Sequence, residues 1–184
     1  MSLMLQNFIL FQLGWFGCVI SGASQDYSWA GMVIVAIIVL IHLSRAMDRR
    51  DEIMLIAATT ILGTTWDSIL TYAGLFDFSN GVIVSWLVPL WLVAMWALFA
   101  TTLNVSMKWM KDRYVLAAVF GAAGGPLAYY AGHRIGAVDF SDTFKAMIAV
   151  GAGWAVIMPG LMLMTKRFNG YHKISPDILE VKAV

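Results

Sequence analysis

Few side chains in these 184 residues can do chemistry, and the one that stands out is an acid in the wrong place. Asp67 interrupts an apolar run, Ile53–Leu75, beside Thr64, Thr65 and Ser68 and five residues before Tyr72. An ionised carboxylate in hydrocarbon costs on the order of several kcal/mol unless it is paired, hydrogen-bonded or wetted. Counted as a helix, Asp67 lies about 21 Å from Ile53. The same count from Tyr114 reaches that depth at Tyr129 and Tyr130. His133 and Arg134 follow one turn higher, where a long side chain can snorkel. The spacing predicts a polar cluster of Asp67, Tyr130, His133 and Arg134, with Trp66 adjacent, facing the interior of a helical bundle. A clamp between the third and fifth helices is the simpler reading, a ligand pocket the second, and a protonated, isolated Asp67 the third. If Asp67 were wetted, proton-coupled transport would be a fourth.

The segment Gly121-Ala122-Ala123-Gly124-Gly125-Pro126 is the other candidate. Proline removes a backbone donor and clashes with the preceding turn, while glycines let helices approach closely. A helix break at Gly125 and Pro126 is expected, exposing backbone groups or producing a kink. Trp86, Trp91 and Trp96 recur at intervals of five, a spacing that holds no single helix face. Packing against lipid or neighbouring helices accounts for them more simply than a stacked ligand.

Other chemistries lack residues. His42 and His133 fall at opposite ends of their runs, so they cannot ligate one haem iron, and His172 lies in the tail. No metal motif, no Ser-His-Asp arrangement and no catalytic residue can be nominated, and no cofactor is expected. The single cysteine, Cys18, excludes an intrachain disulfide.

These residues are carried by a chain that is 60% hydrophobic and 12% charged, with a mean hydropathy of +0.77. A soluble domain carries about 25% charge. The net charge of +1 provides no basic footprint for nucleic acid. A bilayer core of about 30 Å needs about 20 apolar residues in a helix. By that measure the charges divide the chain into six spans: 5–22, 29–44, 53–75, 82–107, 114–134 and 144–164. The first two are short for a crossing. The first lacks the positive flank of a signal peptide, no Lys or Arg preceding Arg45, and reads as a mature helix.

Ten of the twelve basic residues fall in alternate loops and the tail, which leaves Arg134 and Lys145 opposite. Positive charge stays cytoplasmic, so both termini are expected inside. Lipid demands that backbone groups be satisfied within each segment, so the spans are helices. The expectation is an all-α, six-helix transmembrane bundle over residues 1–164, with a cytoplasmic tail over 165–184. Short loops would make consecutive helices antiparallel neighbours.

Asp26-Tyr27-Ser28, Asp77-Phe78-Ser79 and Asp139-Phe140-Ser141 recur in the three outward loops. Either three helical hairpins are diverged copies, or helix capping and interfacial anchoring produced the pattern independently.

Gly63-Thr64-Thr65-Trp66-Asp67-Ser68, the stretch from Pro89-Leu90-Trp91 to Leu103-Asn104, and Gly125-Pro126-Leu127-Ala128-Tyr129-Tyr130-Ala131-Gly132 resemble a family of small bacterial inner-membrane proteins. That family is classed as a domain of unknown function, and the resemblance brings no activity or catalytic residue with it. It implies a multi-pass protein of the bacterial inner membrane. Through the fatty-acid cyclopropanation and flavin-dependent oxidoreductase genes that accompany such relatives, it also points toward lipid modification. Membrane lipids are the expected partners, with a lipid-like molecule as candidate ligand. No protein partner is named by the residues.

Overall fold

The computed structural model describes residues 1–171. The polar tail beyond, with His172, Lys173, Pro176 and Lys182, lies outside the described residues. The fold is all-α, as expected: α1 (Leu3–Gly22), α2 (Ala30–Arg45), α3 (Arg49–Tyr72), α4 (Leu90–Leu103), α5 (Tyr114–Ile135) and α6 (Thr143–Arg167). Four of them, α1, α3, α5 and α6, are long and apolar enough to cross a membrane. At 16 and 14 residues, α2 and α4 are shorter.

The fourth element differs most from its sequence reading. Residues 82–88 are as apolar as a helix but form irregular backbone, and α4 begins only after Pro89. Proline steers the residue before it toward extended backbone and is tolerated only at a helix start. The link between α3 and α4 is therefore long, not short. At about 21 Å, α4 is well below bilayer thickness, yet it is the most enclosed helix. Nine of its 14 residues are buried, and it packs on α1, α2 and α3.

Sequential neighbours pair within each hairpin, α1 with α2, α3 with α4 and, most tightly, α5 with α6, whereas α2 barely touches α3 and α4 does not pack on α5. Between the last two hairpins runs a two-residue antiparallel ladder, Phe76–Asp77 against Asp139–Phe140. It sets Asp77 opposite Asp139, so two of the three recurrent Asp-aromatic-Ser motifs meet in register. None of the three motifs caps a helix: the N-caps of α2, α4 and α6 are Trp29, Pro89 and Asp142. The ladder and the bond from the Ser141 hydroxyl to the Gly74 carbonyl, 2.6 Å, give the second and third motifs a different purpose, joining loops.

No break occurs at Gly125 and Pro126. The helix α5 runs unbroken through both. The reason lies across the interface, where α6 offers small residues. A Cβ on Gly151 would touch the Ala122 carbonyl and the Pro126 ring at 3.3 and 3.4 Å, so Gly151 is what lets α6 cover the proline turn closely. Neighbouring helices of this kind are how transmembrane helices accommodate proline.

Candidate functional site

Asp67 is completely buried on α3, and two aromatic side chains hold it. Its Oδ2 accepts from the Trp96 indole N–H at 2.6 Å, and its Oδ1 accepts from the Tyr129 hydroxyl at 2.6 Å. Both oxygens are therefore engaged, from α4 and α5 respectively. Trp96 can come this close because Gly63, one turn before Asp67, has no side chain. A Cβ there would lie 1.8 Å from the indole ring. The rings are fixed on their other faces too. Trp96 stacks on Trp154 of α6, centroids 5.0 Å apart, and Tyr129 stacks on Phe76 at 5.2 Å. Offset stacks of this kind add about 0.5–1.5 kcal/mol each beyond burial.

The expected partners of Asp67 do not meet it. Tyr130 is turned about 100° from Tyr129 around α5 and is 45% exposed. His133 is half-buried, its Nδ1 3.0 Å from the Val138 carbonyl and 3.3 Å from Asp139 Oδ1. Arg134 is exposed and makes no ion pair among the described residues. Trp66 points the other way around α3, its ring lying over Gly153 of α6. The cluster around Asp67 is thus Tyr129 and Trp96, and Tyr130, His133 and Arg134 stand apart from it.

Trp96 and Tyr129 also wall a cavity of about 610 Å³, which Asp67 itself does not reach. The cavity has a sequence cause. On α5, Gly121, Gly124, Gly125 and Ala128 repeat at helical spacing on one face and line the hollow. Gly121 and Gly125 admit Trp154 and Met158 of α6, whereas a Cβ on Gly124 would find only the Phe120 ring, 3.9 Å away. The opposite wall is α1, through Phe8, Phe11, Gln12 and Trp15, with α4 as the floor. Since α1 and α5 barely touch, the hollow opens sideways between them. Its lining residues Phe8, Phe120 and Leu127 are 51%, 41% and 69% exposed. The walls are overwhelmingly apolar and aromatic, and the volume falls in the range of about 300–1,000 Å³ typical of ligand sites.

At the other end of the bundle lies a second polar centre. Glu52, in the first turn of α3, is completely buried. Its Oε2 lies 2.7 Å from His42 Nε2 of α2, and its Oε1 accepts from Asn104 Nδ2 at the end of α4 and from the Gly170 N–H at 3.0 Å. Asn104 donates its second N–H to the Phe168 carbonyl. The Tyr171 hydroxyl donates to the His42 carbonyl at 2.7 Å, and burial together with the Glu52 charge pushes its pKa up to about 12. Every polar atom of Glu52 is satisfied, and a helix N-terminus favours its charge. In the sequence Glu52 borders a charged loop and looks solvated. The signals for it were His42 ten residues earlier and Asn104, whose amide needs a partner across helices. Among the described residues no group of His, Cys, Asp and Glu is placed to hold a metal ion.

Comparison with curated proteins and with solved structures finds no match. A family model does match, over residues 4–160, and that stretch contains both polar centres apart from the strap at 168–171, and the whole of the cavity wall. This chain belongs to the family described as protein of unknown function (DUF2878).

Proposed function

We propose that this is a multi-pass protein of the bacterial inner membrane, both termini cytoplasmic, that holds a lipid-like molecule in the cavity between α1 and α5. One observation carries the reading: the cavity is apolar, aromatic-walled and open toward the side, where a transmembrane helix meets acyl chains. Water gains few partners in such a hollow, so hydrocarbon is its natural filler. Asp67 serves this site as a positioning residue, fixing the Trp96 and Tyr129 rings that form part of the wall. Presenting the bound molecule to a membrane enzyme would make the protein an accessory to lipid modification.

Proton-coupled transport through Asp67 has less support. Its two oxygens are already occupied and it has no exposed surface. A purely structural subunit would need no hollow of this size.

The test is lipid retention. After gentle purification, mass spectrometry should find a lipid class that stays with the wild-type protein, and Gly124→Leu, which fills the cavity from a position with free space, should lose most of it. Equal retention by both proteins would overturn the proposal. So would recovery of a stoichiometric protein partner with no lipid.

A further inference from the structure

Within the cavity wall one residue carries a side-chain amide. Gln12 lines the hollow from the middle of α1, among Phe8, Phe11 and Trp15. Its amide makes no hydrogen bond to any described residue, although the other polar side chains of the helix ends do: Gln6 bonds the Met1 carbonyl and Arg45, and Asn7 bonds the Thr101 carbonyl. Gln12 lies about 14 Å along α1 from Leu3. That places it in the hydrocarbon region, where an unpaired amide is expensive. Simple packing would be served there by Leu or Met. An amide with two donors and one acceptor, set free in an apolar cavity, is the arrangement that fixes a ligand's orientation.

Resting on the lipid-binding reading above, we infer that Gln12 is the specificity-determining residue of the cavity. It selects a long-chain molecule bearing a carbonyl or hydroxyl partway along its length over plain hydrocarbon. The position of Gln12 states where that group falls. Along α1 the cavity extends from Phe8 to Val19, so Gln12 has about 6 Å of wall on one side and about 10 Å on the other. The polar group of the ligand is therefore set in from one end, by about a third of the buried length. The shorter arm points to the end where Thr102 and Ser106 also line the wall. The longer arm runs toward Val138 past Leu127, Tyr129, Ala131 and Gly132 of α5.

Two probes of equal length test this, hexadecane and a saturated hexadecanone with its carbonyl about a third of the way along. Both are added to purified protein and their retention is measured by native mass spectrometry. Wild type should retain the ketone at least fivefold better than Gln12→Leu does, while hexadecane is held equally by the two proteins. Retained hexadecane also shows that the variant's cavity is intact. If Gln12→Leu changes both probes alike, or neither, the assignment of Gln12 is wrong even though the cavity binds chains. If wild type retains neither probe, it is the lipid-binding reading itself that fails.

Discussion

Asp67 shows how far a residue's chemistry can be read before its neighbours are known. Counting helical rise correctly put Tyr129 and Tyr130 level with it. Choosing between them required the rotation of α5, which is set by Gly121 and Gly125 seating on Trp154 and Met158 of α6, and no depth count supplies that. Trp96 was hidden for a related reason. Tryptophans five apart mark no face, and only the gap left by Gly63 shows which ring turns inward. Asp67→Asn keeps the shape but sets an N–H against a donor. It should lower stability by about 1–3 kcal/mol, the cost of leaving a buried group unpaired, seen as a lower Tm in detergent. The donor-only indole of Trp96 keeps the amide oxygen and the NH2 group falls opposite the Tyr129 hydroxyl, so Asp67→Asn combined with Tyr129→Phe should cost clearly less than the sum of the two single changes.

At the scale of the elements, glycine decides which helices touch and which stay apart. The hairpins themselves were legible, because hydropathy and charge mark their ends. The start of α4 was not, because residues 82–88 are apolar whether helical or irregular, and the structure leaves residues 82–86 exposed in an irregular loop before Pro89. The two kinds of glycine make opposite predictions. Gly63→Ala drives a methyl into the Trp96 ring and should cost at least the 1–3 kcal/mol typical of overpacking. Gly124→Ala meets only a ring edge at van der Waals distance. It should leave the Tm unchanged or slightly raised, since alanine is the better helix former. Thermal unfolding of the two variants side by side separates them.

For the molecule as a whole, the charge distribution was the most readable feature. The structure gathers the loops that carry it: Lys111 donates to the Thr165 carbonyl, and Lys166 pairs with Asp112. That ion pair, with the Tyr114 hydroxyl close by, raises the lysine pKa. Cysteines placed at Arg49 and Lys111 should thus react with an impermeant maleimide from the same, cytoplasmic face of the membrane, and one at Phe144 from the opposite face. Labelling of the first two from different sides would dismantle the proposed topology. What composition could not reveal is the hollow, because an absence of side chains on α5 reads as close packing until α1 is seen to stand away from it. Nor could it reveal that the backbone beyond α6 returns to Glu52. That return bears on how the protein is made. Gly170 leaves the ribosome more than a hundred residues after Glu52, and its N–H is one of the acid's bonds. During synthesis this carboxylate must wait at the membrane surface in the company of water. The bundle closes over it only when the strap at 168–171 arrives, so this step of assembly follows the synthesis of all six helices described above.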